Sequence, residues 1–399
     1  MTSDFDVIVA GGGPAGSTAA RECASAGLTV GLLDKAEFPR DKPCGGGVTI
    51  RCAKQLPFDL SAVSERDVTG VRFSAPGVSI GRWSQSPLTY MTQRINLDGF
   101  LIEKAQQAGV SVMQRMAVRG VKTGREGYVI TAGGREIRCR YLVAADGANG
   151  VTARLAGIDV PRWKGIALEG NVHADPLPER WRSTIGVDFS HIRGGYGWIF
   201  PKGDHVNIGL GGWRDSGPAL RSRLAALTRS YGFEAEALRN LRGYPLPVRQ
   251  PGAPIARDRL LLIGDAAGLL DPFTGEGIFA AIWSGRAAAR KIVEDMVDGR
   301  SDAGSRYVED VQAHLLPDLR VSRKLAGLFH LAPWAWTHGM RVPAVSRLAF
   351  RLLTGEQTYS QTSKDSRVAS SLLATSYEAL KLVSWTRGRG ANMPLLFAA

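Results

Sequence analysis

Near its start the chain runs Phe5-Asp6-Val7-Ile8-Val9-Ala10 and stops on Gly11-Gly12-Gly13-Pro14-Ala15-Gly16. This junction constrains the fold more than any other feature. A β-branched apolar run ending in glycines reads as a buried parallel strand. Gly11, Gly13 and Gly16 have G-x-G-x-x-G spacing, which permits a tight turn and lets a pyrophosphate approach backbone N–H groups at a helix N-terminus. Pro14 suits the first turn of a helix reaching Ala26, and Gly27 ends it. A second buried strand, Thr29 to Leu33, closes on Asp34, where a carboxylate accepts ribose hydroxyls. The spacing predicts a βαβ unit, and hence a doubly wound, Rossmann-like α/β domain.

Two later segments repeat the theme. Tyr141 to Ala144 runs into Ala145-Asp146-Gly147-Ala148-Asn149, and Arg259 to Ile263 runs into Gly264-Asp265-Ala266-Ala267-Gly268, continuing to Pro272 and Gly275-Glu276-Gly277. A lone Asp-Gly pair is an ordinary turn, but each of these follows a strand, and α/β sheets bind ligands at the carboxyl ends of their strands. Between them, Tyr128–Ala132 and Glu136–Ala144 flank Gly133-Gly134 as a hairpin. Helices are predicted over Asp98–Ala108, with Arg94 just before it, and from about Gly277 to Val297. Residues 165–250 are rich in strand formers, Gly and Trp, and read as a mostly antiparallel β domain. The predicted division gives residues 1–75, 94–164 and 251–304 to the nucleotide-binding domain. Residues 76–93 and 165–250 go to the β domain, and 305–399 to a helical C-terminal region.

Composition narrows the class. The chain has 399 residues, 44% hydrophobic and 22% charged, which suits two or three closely joined globular domains. Lys and Arg exceed Asp and Glu by 50 to 37. A solvated basic surface or attraction to an anionic membrane surface accounts for the excess. No aromatic-basic interleaving supports nucleic acid. Cys23, Cys44, Cys52 and Cys139 form no Cys-x-x-Cys pair, so no metal site is expected. A reduced cytoplasmic protein is the expectation, with no signal peptide, no apolar run of membrane-spanning length, and any membrane contact at the inner face.

The order of the three glycine-aspartate segments resembles the flavoprotein hydroxylase superfamily. The resemblance implies FAD. Gly11, Gly13, Pro14, Ala15, Gly16, Asp34 and Lys35 would hold the ADP half, and Arg94 would contact the cofactor. Asp146 belongs to the superfamily's Asp-Gly motif, although Gly150 stands where many relatives have Ser. Gly264 and Asp265 would meet the ribityl chain, and Pro272, Gly275, Glu276, Gly277 and Ile278 would lie along the isoalloxazine. The helix starting near Gly277 would aim its positive end at the reduced ring. Two further segments resemble the geranylgeranyl reductases: Lys42-Pro43-Cys44-Gly45-Gly46 and Tyr196-Gly197-Trp198-Ile199-Phe200-Pro201, with Arg193 where the family often has Pro. Gly268 stands where hydroxylases carry His. The resemblance covers about residues 5 to 300.

It implies reduction of isolated C=C bonds in a prenylated lipid or quinone. Such an alkene lacks a carbonyl to accept charge, so a proton must accompany or precede hydride transfer, and tertiary cation character develops. Each aromatic face stabilises a cation by roughly 0.5–2 kcal/mol. Tyr196, Trp198 and Phe200 alternate and therefore share one sheet face, compatible with core and with pocket lining. Cys44, Tyr196 and Trp198 are the candidate catalytic residues, and Tyr196, Trp198, Phe200 and Pro201 the candidate substrate wall. Cys44 and Gly45 would also touch the flavin. No second G-x-G-x-x-G is present, so NAD(P)H would bind transiently or a ferredoxin-like donor would serve. Residues 311–399 carry 11 Lys and Arg against 4 Asp and Glu. There Leu325–Phe329 and Trp334–Trp336, near Arg320, Arg323, Lys324 and Arg341, suit a lid packed on the body or resting on lipid. The rival readings are an aromatic-ring hydroxylase, a flavin halogenase and a non-catalytic basic binding protein.

Overall fold

The computed structural model describes residues 3–192, 194–213, 219–331, 338–339 and 341–365. Its nucleotide-binding sheet has the order Ala256–Arg257, Leu260–Leu262, Arg135–Ala144, Phe5–Ala10, Val30–Leu33 and Ser111–Met113. From Leu260–Leu262 to Ser111–Met113 all neighbours are parallel. The central strands are apolar on both faces because helices cover both: Val7, Ile8, Val9, Leu32, Leu142, Val143 and Leu261 are fully buried. The expected hairpin is present, Tyr128–Ala132 against Arg135–Ala144, with Gly133 and Gly134 both at positive φ as a two-residue turn of this hand requires.

A second sheet of seven strands has the order Arg239–Arg249, Arg162–His173, His205–Trp213, Tyr196–Pro201, Thr184–Asp188, Gly70–Ala75 and Val78–Trp83. All pairs are antiparallel except Thr184–Asp188 with Gly70–Ala75. Its two faces differ chemically. Leu168, Val172, Ile199, Ile208 and Leu210 on one face are buried under the helix Leu220–Ser230, through Leu220, Leu224 and Leu227. Gly197 lets that helix approach, since a Cβ there would lie 2.6 Å from Leu227 Cδ2.

Four boundaries differ from the sequence-based expectation. Gly70–Ala75 belongs to the second sheet, not to the nucleotide-binding part, and Arg162–His173 begins before residue 165. The helix expected from Asp98 starts at Arg94, with Gln93 as an N-cap whose side chain donates to Glu65 Oε1 at 2.7 Å rather than capping the helix. The helix Ala303–His314 is integral to the nucleotide-binding core: Tyr307 and Val311 are fully buried, and the Tyr307 hydroxyl donates to Leu262 O at 2.9 Å. The next helix, Leu316–Leu331, docks on the body through Ser322, whose hydroxyl donates to Asp271 Oδ1 at 2.6 Å, and through Asp318, paired with Arg51 at 3.1 Å. This supports a lid. Arg193, residues 334–336 and the side chains of residues 328–329 lie outside what is described. No helix among the described residues is long and apolar enough to cross a membrane.

Candidate functional site: three strand ends and an aromatic row

The strand register sets the site. Ala10 is the partner of both Leu33 and Ala144, and Ala144 is the partner of Leu262. The three glycine-aspartate segments therefore leave the sheet side by side at one edge. Backbone bonds lock them: Gly11 N donates to Leu33 O at 2.7 Å, Ala145 N to Ala10 O at 2.8 Å, and Ile263 N to Ala144 O at 3.0 Å.

Glycine is required where these loops touch. Gly11 has φ +108°, and a Cβ on it would sit 2.4 Å from Ala145 O. At Gly16 a Cβ would lie 1.8 Å from Gly11 O, inside any permissible contact. The helix Pro14–Ser25 begins with Pro at its first turn, has no side-chain cap at Gly13 and no acidic residue in its first turn. Its N–H groups face the loop unopposed, an arrangement made for an anion. The side chains of Arg40 and Arg94 reach the same place, 3.7 and 3.9 Å from where a Gly13 Cβ would be. Buried Asp34 holds the turn: Oδ2 accepts Gly12 N at 2.7 Å and Oδ1 accepts Ala36 N at 2.8 Å.

Arg94 is anchored in turn. Its Nε and Nη2 each donate to fully buried Asp98 at 2.7 Å, and Arg40 Nη1 lies 2.9 Å from the same carboxylate. Burial opposes the Arg94 charge, but the Asp98 pair and a bond to the Cys44 side chain outweigh it, so its pKa is raised. Asp146 behaves differently. Its Oδ2 accepts Val151 N, Thr152 N and Thr152 Oγ1 at 2.7–2.8 Å, so the carboxylate caps the following helical turn. A Cβ at Gly150 would fall 2.2 Å from Asp146 Oδ1, which accounts for glycine there.

At the third strand end, Asp265 faces Lys42 Nζ at 3.7 Å and lies beside Gly277, the N-cap of the 21-residue helix Ile278–Asp298, again without a side-chain cap bond. Gly268 sits at φ +69° against Arg249, a left-handed position that excludes a larger side chain at little cost only for glycine. The Asp271–Gly277 loop is tied within itself, where Asp271 Oδ1 accepts Phe273 N and Thr274 N, each at 2.9 Å, and to the strand Gly47–Thr49, where Glu276 Oε1 accepts Thr49 Oγ1 at 2.7 Å. Burial raises the pKa of both carboxyls.

The aromatic row meets this arrangement from the other sheet. Ring centroids of Tyr196 and Trp198, and of Trp198 and Phe200, are 6.2 Å apart. The Tyr196 hydroxyl donates to Thr274 O. Phe200 and Trp198 lie against Gly45, where a Cβ would be 2.8 Å from Phe200 Cδ2 and 3.2 Å from Trp198 Nε1. The Cys44 loop is thus seated on the aromatic face, and the two motifs, remote in sequence, are neighbours in space. Half-buried Cys44 accepts Gly46 N on Sγ at 3.4 Å, and its own N–H donates to Glu169 Oε1 at 2.8 Å.

Two residues here escaped the sequence reading. Lys202, only 2% exposed, donates to Gly45 O at 2.6 Å and Thr92 O at 2.9 Å, and burial lowers its pKa to about 8. Burial raises the Glu169 pKa to about 7, despite the Cys44 N–H bond and nearby Lys202. The signal for Lys202 was its place directly after the Phe-Pro of the aromatic motif. For Glu169 it was a carboxylate in a strand with apolar neighbours, which equally describes a solvated strand face.

Comparison with known proteins decides the family. Residues 4–195 match the FAD binding domain family. The chain is 32% identical over 381 residues to menaquinone reductase of Mycolicibacterium smegmatis, covering 88% of this chain and 92% of that protein. It is 33% identical over 346 residues to digeranylgeranylglycerophospholipid reductase 2 of Methanothermobacter thermautotrophicus, covering 81% and 88%. The chain belongs to the geranylgeranyl reductase family of FAD-dependent oxidoreductases. A crystal structure of a geranylgeranyl bacteriochlorophyll reductase-like protein from Thermoplasma acidophilum agrees, with TM-score 0.70 and 25% identity over 94% of this chain and 99% of that one.

As a member of that family the protein is an FAD-dependent oxidoreductase acting on CH–CH groups. Hydroxylase, halogenase and non-catalytic readings are set aside. Its residues fit FAD on their own geometry: a glycine cradle closed to a Cβ at Gly11 and Gly16, two uncapped helix N-termini aimed at one edge, and flanking Arg40, Arg94 and Lys42. Gly11–Gly16 and Asp34 would hold its ADP half, and Cys44–Gly47 and Gly275–Ile278 would hold its ring.

Proposed function

We propose that the enzyme saturates isolated C=C bonds of a geranylgeranyl or longer polyprenyl chain carried on a lipid or quinone. The observation that carries this reading is the seating of the Cys44–Gly47 loop on the Tyr196–Trp198–Phe200 row. The named activities of the Mycolicibacterium and Methanothermobacter relatives support it.

Reduced FAD, when bound, supplies the hydride equivalent. The residues of the chain supply what an unactivated alkene lacks. The aromatic faces match both a greasy chain and the electron-poor tertiary carbon that forms in it. Keeping water from that carbon falls to Tyr196, Trp198 and Phe200, together with the helix Leu316–Leu331 that closes over the Asp271 loop. Lys202 fixes the Cys44 loop through Gly45 O and so sets how closely Cys44 approaches the reacting carbon. The reductant that recharges FAD would be NAD(P)H bound transiently or a ferredoxin-like donor. Prenylated substrates reside in membranes, and the +13 charge of the chain favours contact with an anionic membrane face.

Anaerobic incubation of the dithionite-reduced holoenzyme with a menaquinone, an archaeal-type prenyl glycerophospholipid and a free prenyl diphosphate tests the proposal. Products heavier by two hydrogens per saturated bond are expected by mass spectrometry from at least one of them. If all three come back unaltered, the reading is wrong. In the same assay, Cys44→Ser should retain FAD yet slow alkene reduction by about 100-fold. Turnover at the wild-type rate would remove Cys44 from catalysis.

A further inference from the structure

The active face of the second sheet carries a polar row that the aromatic motif does not use. Glu169, Asn171 and His173 alternate along Arg162–His173 and are register partners of Gly209, Asn207 and His205 on the next strand. Their strand neighbours Leu168, Val172 and Ile208 face the apolar core under the covering helix, so the polar residues all face the nucleotide-binding part. Asn207 Nδ2 donates to Asn171 Oδ1 at 2.8 Å, and Asn207 Oδ1 accepts Trp198 Nε1 at 2.7 Å. The row begins at Glu169, bonded to Cys44 N, and ends at exposed His173 and at His205, which is paired with exposed Asp204 at 2.7 Å. A cavity of about 30 Å³ joins these groups, lined by Cys44, Glu169, Asn171, His205 and Asn207, with room for a water or two.

We propose that Glu169 is the acid that delivers the proton of the reaction, reloaded from solvent along the water-holding row Asn171, Asn207 and His205. The inference rests on alkene reduction as the activity. The balance is simple. The alkene π pair takes the proton from the Glu169 carboxyl and forms one C–H bond. The tertiary carbon left electron-poor forms the other with the hydride equivalent of reduced FAD, and the carboxylate regains its proton from water. Trp198, the middle ring of the aromatic wall, borders Glu169: its indole lies over Gly209, the register partner of Glu169, 2.2 Å from where a Cβ would be. Asn amides do not titrate, so they hold and orient water, and His205 stands at the solvent end of the row beside Asp204. The charged and titratable groups facing Glu169 are Asp41, Lys42 and Cys44 on the glycine loop, Arg94 on its helix, and Lys202, His205 and Arg242 on neighbouring strands. Burial raises the pKa of the carboxyl to about 7, against the lowering by the Cys44 N–H bond, Lys202 and Arg242.

The test is the pH dependence of single-turnover prenyl reduction by the reduced holoenzyme. In the wild type the rate should fall as pH rises through about 7, because the acid form is consumed there. Glu169→Gln keeps an oxygen for Cys44 N–H and should bind FAD normally. It should be slower by about 100-fold or more and lose that pH step, while Glu169→Asp recovers part of the rate. A second readout is free of turnover: infrared difference spectra across the same range should carry a carboxylic acid band that Glu169→Gln lacks. A Glu169→Gln enzyme with wild-type rate, a retained pH step, or an unchanged carboxylic band would each overturn the proposal. If the wild type reduces no prenyl lipid, the parent reading fails, and the infrared band alone decides whether Glu169 holds a proton.

Discussion

Replacing Gly16 by Ala yields a protein that does not retain FAD and unfolds more readily by about 3 kcal/mol or more. The methyl group would sit 1.8 Å from Gly11 O, and neither backbone can yield. Gly11 is itself pinned by its N–H bond to Leu33 O and lies against Ala145, so a shift at one loop propagates to the neighbouring strand end. The helix Pro14–Ser25 also packs on Ile278–Asp298, where a Cβ at Gly285 would be 2.5 Å from Ala15 O. No free space exists on either side for Gly16→Ala to relax into. Thermal unfolding of the apoprotein and flavin content after purification check both halves of this expectation. A Gly16→Ala protein with full flavin content would mean that the cradle is not where the pyrophosphate lies.

The second large effect is expected from Arg94→Ala. Asp98 is fully buried and takes two bonds from Arg94, so removing the guanidinium leaves a carboxylate in the core with only Arg40 nearby. Breaking a buried pair from one side costs about 3–5 kcal/mol, and the remaining Arg40 contact places this case at the lower end. Over a domain of this size each kcal/mol moves the melting midpoint by about 2–4 °C. Arg94→Lys should recover part of the stability but not the two-pronged geometry. The double variant Arg94→Ala, Asp98→Ala tells the two losses apart. It should regain stability and still bind FAD weakly, because the cationic contact at Gly13 is gone. If Arg94→Ala melts with the wild type and binds FAD equally well, the anchoring role is contradicted.

Much of the nucleotide-binding half is legible in the sequence because its strands are buried on both faces. Val7-Ile8-Val9, Leu32-Leu33 and Leu260–Ile263 are continuous apolar runs, and each ends on a glycine or aspartate whose conformation or chemistry is unusual. The register that brings those ends together is not in any one segment; it appears only when Ala10, Ala144 and Leu262 pair. The second sheet is harder to read. Gly70–Ala75 joins it through a parallel pair with residues more than a hundred positions away, so nothing local marks the boundary. The helix start at Arg94 is not marked locally, because its N-cap Gln93 makes no side-chain cap bond while Asn96, a favoured capping type, lies inside the helix. Glu169 is hidden because a charged residue on an alternating strand looks solvated until the opposite layer is known, and Lys202, one residue past its strand, because its bonds to Gly45 O and Thr92 O join segments remote in sequence. Here that layer is the Cys44 loop.

The most direct measurement for the whole account is the stoichiometry of FAD on the purified, reconstituted chain, followed by flavin absorption. Convergence of the three strand ends on a single dinucleotide predicts one FAD per chain, lost in Gly16→Ala and weakened in Arg94→Ala. A reconstituted protein that stays colourless, or Gly16→Ala and Arg94→Ala variants as yellow as the wild type, would contradict it.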